Sequence, residues 1–163
     1  MIFVTVGTHP GQFDRLIKRI DEIAPQVKEK IIIQRGFTKY VPKNCQSFEF
    51  TPNLDDYYKS ARLVIVQSAT SLLEFALKYK KPVITVPRQK RYGEHINDHQ
   101  VEFAIYFARK TGIKAILDIN ELTPLLLKDY KTVPKMKNDG LIQLQDYFSV
   151  LFKRLSKELK DGC

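Results

Sequence analysis

The stretch VPRQKRYGEHINDHQ, residues 86–100, carries more polar chemistry than a connection between a strand and a helix requires. Arg88, Lys90 and Arg91 supply positive charge that can neutralise a diphosphate. Glu94, Asn97, Asp98 and Gln100 add donors and acceptors beside two histidines, His95 and His99, spaced four apart. On a helix those histidines would share one face, as in a zinc pair. The glutamate of the H-E-x-x-H pattern is missing, no third ligand is obvious, and His95 stands before the helix starts, so no metal is assigned. Asn97 and Gln100 also fit a helix N-cap with its box partner, a structural role that stays open beside the ligand role.

Two other stretches have the makings of a site. VGTHPGQFD places Gly7 and Gly11 between a strand and a helix, where backbone can approach a ligand closely and free N–H groups favour a phosphate. Its spacing matches neither G-x-x-x-x-G-K-[ST] nor G-x-G-x-x-G, and a tight turn explains it equally well. His9 in this loop is a further ligand-contact candidate. In QSATSLLEFA, Ser71 and Glu74 have the spacing of a capping box, and Glu74 could instead accept hydrogen bonds from the vicinal hydroxyls of a ribose.

The elements that hold these loops alternate in type. Strands are expected at 2–6 (IFVTV), 31–34 (IIIQ), 47–50 (SFEF), 63–66 (LVIV, buried on both faces), 82–86 (PVITV) and, more weakly, 115–119 (AILDI). Helices are expected from Phe13 to near Pro25, over 54–61 with Asn53 as cap, over 71–79, from about Asn97 to Lys110, and over 138–160. The alternation predicts an α/β domain: a Rossmann-like, mainly parallel sheet with helices on both faces. Ligands of such sheets sit at the carboxyl ends of the strands, so the three loops should share one rim. The 163 residues make one domain, with its core at 1–127. A surface excursion at 128–140 separates that core from the last helix, whose stripe of Leu141, Leu144, Phe148, Leu151, Leu155 and Leu159 suits a docking partner or its own domain.

Composition narrows the class. With 44% apolar and 28% charged residues the chain should fold as a soluble protein, and the net charge of +9 favours an anionic partner. Nothing in it matches a finger, KH or RNP pattern, so nucleic acid is not the expected partner. The sequence shows no signal peptide and no spanning run, which gives the cytoplasm as the expected location. Cys45 and Cys163 form no disulfide framework and suggest no metal site.

The stretches FVTVGTHPGQFDRLIKRID, PNLDDYYKSARLVIV and KKPVITVPRQKRYGEHINDHQVEFA resemble the C-terminal, donor-binding domain of family 28 glycosyltransferases, over about residues 1–120. Its single-domain members are the catalytic subunits of two-component enzymes. The resemblance implies half of a GT-B fold, with Gly7 and Thr8 near the donor phosphates, Arg88 facing the diphosphate and Glu74 on the ribose. It puts Thr51, within 50–53, near the base, and Asp98, His99 and Gln100 at the sugar hydroxyls. In place of the family's His-Gly-Gly or His-Ala-Gly run the chain has Gln67 and Ser68, where Ser68, Thr70 and Ser71 could supply hydroxyl donors. The implied reaction is inverting transfer from a UDP-sugar to a lipid-linked acceptor. It needs no metal or other cofactor, and His9 is the candidate base. A membrane-anchored acceptor-binding subunit is the implied partner, holding the protein peripherally at the membrane. A non-catalytic nucleotide-sugar binder is the alternative, motivated by the altered 67–71 loop.

Overall fold

In the computed structural model the described residues are 1–68, 75, 78–135, 147, 149–150 and 153–154. Six strands form one sheet: β1 (Ile2–Thr5), β2 (Ile31–Gln34), β3 (Gln46–Phe48), β4 (Leu63–Val66), β5 (Val83–Thr85) and β6 (Lys114–Ala115). Every pairing is parallel and the order is β3-β2-β1-β4-β5-β6. The expected class is therefore observed. The first chain crossings run outward from β1 through β2 to β3, and the next run the other way from β4. The direction reverses between β1 and β4, and it is there that an open parallel sheet leaves a crevice beyond its strand ends.

β-branched residues fill the central strands because both faces are covered, which leaves no room for polar alternation. Ile2, Val4, Ile33, Leu63, Ile65 and Ile84 point to one face and meet Leu16, Ile17, Ile20 and Ile23 of helix α1 (Asp14–Ile23). Phe3, Ile32, Val64, Val66 and Val83 point to the other, against Tyr58 of α2 (Asp55–Ser60), Phe75, and Phe103 and Phe107 of α3 (His99–Thr111). Helices thus lie on both faces, as the alternation predicts.

Several bounds differ from the expectation. The third and sixth strands end sooner, at Phe48 and Ala115. Asn53 Oδ1 accepts from the Asp55 amide at 2.9 Å, but Leu54, not Asn53, occupies the N-cap position. A helix not expected from the sequence, α4 (Pro124–Asp129), occupies the end of the core, with Thr123 accepting from Leu126 N and proline in its first turn. The expected helix at 71–79, with Thr70, Ser71 and Glu74, lies largely outside the described residues, as does most of 138–160. Within the latter, Tyr147 stacks on Tyr106 at 4.4 Å and lies 5.7 Å from Phe103, so this position packs on the protein's own α3.

One polar anchor ties the loop after β2 to α1. Asp21 is almost fully buried and accepts from Tyr40 Oη at 2.7 Å, Lys43 N at 3.0 Å and Asn44 N at 2.6 Å. Burial pushes its pKa up, but the hydrogen bonds from Lys43, Tyr40 and Asn44 outweigh that and hold it below the usual carboxylate range. A lowered carboxylate pKa contributes stability above the unfolded value that is lost as pH falls through the folded one. Asp21→Ala is expected to lower unfolding free energy by about 1–3 kcal/mol at neutral pH, because three donors lose their acceptor. Denaturant titration checks the loss, which should shrink in acid, where the wild-type carboxylate is itself protonated.

Candidate functional site

The loops after β1, β2, β4 and β5 meet over the β1–β4 crevice. Gly7 leaves β1 with φ +69°, and a Cβ there would lie 2.0 Å from Gln67 Nε2. Gly36, after β2, has φ +53°, and its Cβ would lie 2.6 Å from Gly7 O. Both left-handed conformations favour glycine, and the approach of Gly36 to the Gly7 backbone requires it, whereas the Gln67 side chain beside Gly7 could move aside. Gln34, buried at the end of β2, knits the two turns. Its amide accepts from Thr5 Oγ1 at 2.5 Å and donates to Gly7 O at 3.1 Å and Glu49 O at 3.0 Å. Thr38 Oγ1 in turn accepts from Phe13 N at 3.1 Å, satisfying an amide at the start of α1.

Arg88 is the centre of this arrangement, and it is 0% exposed. Its Nε donates to Gln67 Oε1 at 2.8 Å, Nη1 to Gly11 O at 3.0 Å and Gln12 O at 2.9 Å, and Nη2 to Val6 O at 3.2 Å. The guanidinium also stacks over Phe13, 4.6 Å from the ring centroid. Burial lowers its pKa to about 10, partly offset by Glu94, so it remains charged at neutral pH. Direct contact with a diphosphate, the role expected for Arg88, is corrected by this burial. Its donors serve the carbonyls of the Val6–Gln12 loop, and its charge reaches the rim through that loop.

Two more residues expected on the ligand are also structural. Glu94 is buried and pairs through both oxygens with Arg15, each at 2.9 Å, while accepting from Gln89 N at 3.0 Å. Gln100 is buried, with Oε1 accepting from Arg88 N at 3.1 Å. Gln100 is therefore not a box partner at the start of α3, and Asp98, at the N-cap, makes no side-chain cap. Asp98 is exposed on the rim and accepts from Lys90 N at 2.8 Å. Thr8 is exposed, Thr51 is half-buried in a turn with Asn53, and Phe37 and Phe50 form an exposed edge-on pair 4.9 Å apart beside it. Ser68 Oγ is buried at the end of β4 with no partner among the described residues.

All three histidines of the chain converge. The rings of His9 and His95 are 5.0 Å apart, and those of His95 and His99 are 4.5 Å apart and edge-on. Burial lowers the pKa of each, helped by the Arg88 charge at His9 and His95 and by His95 at His99. His9 Nδ1 accepts from Gly11 N at 2.9 Å. That bond leaves the neutral ring's proton on Nε2, so in this geometry His9 presents a donor and not the base expected of it. Among the described residues no group of three His, Cys, Asp or Glu side chains is placed to hold a metal.

The comparisons agree with this geometry. Strand order, crevice and glycine turn define a Rossmann-like nucleotide-binding architecture. The model of the glycosyltransferase family 28 C-terminal domain matches residues 1–144, and the chain belongs to that family. Two solved structures share the fold. The glycosyltransferase SnogD from Streptomyces nogalater has a TM-score of 0.53 at 18% identity, and the glycotransferase of kitacinnamycin has 0.52 at 14%. Each match covers 79% of this chain and 33% of the other, so the chain spans about a third of either enzyme's length. A search of curated proteins returned no significant match.

Arg88→Met is expected to destabilise the fold by about 3 kcal/mol or more, because it leaves the carbonyls of Val6, Gly11 and Gln12 buried and unpaired. Arg88→Lys should rescue little of this, since one ammonium cannot reproduce the forked donors. Thermal and denaturant unfolding of the two variants checks both statements.

Proposed function

We propose that the protein is the donor-binding, catalytic half of an inverting, metal-independent glycosyltransferase that uses a UDP-sugar. The observation that carries this reading is the buried Arg88 charge beneath the glycine turn at the β1–β4 crevice. Its hydrogen bonds go to carbonyl and amide oxygens, and the nearest carboxylate, Glu94, is engaged by Arg15. A buried cation with no carboxylate among its hydrogen-bond partners in the described residues favours an anion above it. Family membership supports a nucleotide-sugar as that anion.

In the proposed reaction an acceptor hydroxyl attacks the anomeric carbon as the bond to the UDP oxygen breaks, and the electron pair leaves with the diphosphate. The protein's part is to stabilise that growing charge, through the positive field of Arg88 and the loop after β1 that it braces, whose Gly7 and Gly11 amides are themselves engaged by Thr5 Oγ1 and His9 Nδ1. In this reading Asp98 serves the sugar hydroxyls, Thr51 the base and Ser68 the phosphates, with Thr70, Ser71 and Glu74, which lie outside the described residues, as further phosphate and ribose contacts. The acceptor's proton goes to a base on the other half, since the His9 Nδ1 lone pair is occupied. That half is proposed as a membrane-anchored subunit binding a lipid-linked acceptor. The protein's own location is then the cytoplasmic face. No helix among the described residues is long and apolar enough to cross a membrane, consistent with attachment through a partner.

A non-catalytic nucleotide-sugar binder is the second reading, favoured by the Gln67 amide that crowds Gly7 where the family usually has glycines. Calorimetric titration and a transfer assay with the membrane-anchored partner separate the two: both predict UDP-sugar binding, and only the first predicts turnover. Asp98→Ala is expected to weaken a UDP-sugar about tenfold while leaving UDP nearly unchanged, as for one lost hydrogen bond to a charged group. Equal losses for both ligands would remove Asp98 from the sugar. Turnover should survive chelator, and chelator-sensitive, metal-restored turnover would overturn the metal-free reading.

A further inference from the structure

The three-histidine cluster is not used as a base in this reading, and its geometry suits another task. His9 lies on the loop after β1, His95 on the loop after β5, and His99 on the first turn of α3. Their rings touch in sequence at 5.0 and 4.5 Å, on the ligand rim over the loop that Arg88 braces. His9 Nδ1 accepts from Gly11 N, and His95 Nδ1 faces Asn97 N at 3.5 Å, so each neutral ring carries its proton on Nε2. His99 Nδ1 is held by Asn97 Oδ1, an acceptor, so that the neutral ring's lone pair is on Nε2, which has no hydrogen-bond partner among the described residues and can take a proton. Two donors and one protonatable ring therefore stand together near a buried cation.

We propose that His9, His95 and His99 form one oxyanion site that receives the diphosphate of the donor and takes up a proton as it binds. The proposal rests on the nucleotide-sugar reading for the identity of the anion, and on the ring cluster for the site itself. The charged neighbours set its working range. Arg88 acts on His9 and His95, and Arg154 on His99, each opposing protonation. Asp98 faces His95 and Glu102 faces His99, each favouring it. Burial and mutual repulsion keep the empty cluster neutral at physiological pH, and an arriving dianion reverses the balance. Binding then tightens as pH falls from 8 to 6, because the bound form holds the extra proton.

The test is a pH titration of the three imidazole Cε1–H resonances by NMR, assigned with single His→Asn variants, on the full chain. A UDP-sugar is the probe because its diphosphate is a diester. UDP carries a terminal phosphate that itself titrates near pH 6 and would confuse the count. Saturating UDP-N-acetylglucosamine is expected to raise at least one of the three pKa values by about one unit, which corresponds to about tenfold tighter binding at low pH. Uridine should leave all three unmoved. Saturation by UDP-N-acetylglucosamine with all three pKa values unmoved would overturn the proposal. If the sugar nucleotide does not bind, the donor reading fails separately. Sulfate, compared with chloride at equal ionic strength, then decides the site: an upward shift keeps an oxyanion site of other ligand, and no shift removes it.

Discussion

The structure turns on a guanidinium whose partners among the described residues include no carboxylate. Sequestering a cation from water is costly unless its donors are met, and Arg88 meets that cost with three backbone carbonyls, one side-chain amide and an aromatic face. Those carbonyls belong to Val6, Gly11 and Gln12, the two ends of the loop between β1 and α1. The arginine itself sits just beyond β5. A single side chain therefore fixes the distance between the first and fifth strand ends across the switch point. Its backbone amide is held in turn by Gln100 of α3, so the helix that carries His99 is registered to the same centre.

The glycine turns follow from that brace. The Val6–Gln12 loop turns the carbonyls of Val6, Gly11 and Gln12 inward to reach Arg88, while its Gly7 and Gly11 amides are held by Thr5 Oγ1 and His9 Nδ1. Gly7 adopts a left-handed conformation with Gln67 packed against it, and Gly36 passes so close to Gly7 O that no side chain fits between them. Gln34 closes the remaining valences from below. The crevice is thus assembled from backbone, with side chains such as Gln34, Gln67, Arg88 and Gln100 acting underneath it.

This division explains what the sequence showed and what it hid. The alternation of β-branched runs with helix-period segments revealed the α/β class and the shared rim, because burial on both faces writes itself directly into composition. Resemblance pointed to the correct family. What it hid was the direction of each polar side chain. Three cations in four positions look alike in one dimension, yet Lys90 and Arg91 are exposed and Arg88 is wholly buried. Glu94 and Gln100 read as ligand groups until Arg15, distant in sequence, and Arg88 are seen to claim them. Gln34 and Gly36 carried only the weakest signal, a glutamine closing an apolar strand and a glycine two residues later. The helix at Pro124–Asp129 was not expected, although Thr123-Pro124 followed by three leucines carries its signal, a cap with proline in the first turn. The convergence of the histidines could not be read at all, since it needs the β1 and β5 loops to meet in space.

The net charge of +9 also takes on a different weight. Exposed lysines act through water and counter-ions, and their influence fades within about 10 Å. A cation inside the protein is screened much less. The shared depression of His9 and His95, with Arg88 a cause at both, is the trace of that field inside the fold. Surface charge of this sign can raise the local concentration of any anion, nucleic acid included. Selecting a compact oxyanion at one crevice requires a fixed charge that does not move and donors whose positions are set by backbone. Arg88 supplies the first and the loop it braces supplies the second, so under the proposed function selectivity for a small anion would rest on the buried residue and not on the excess of surface lysine.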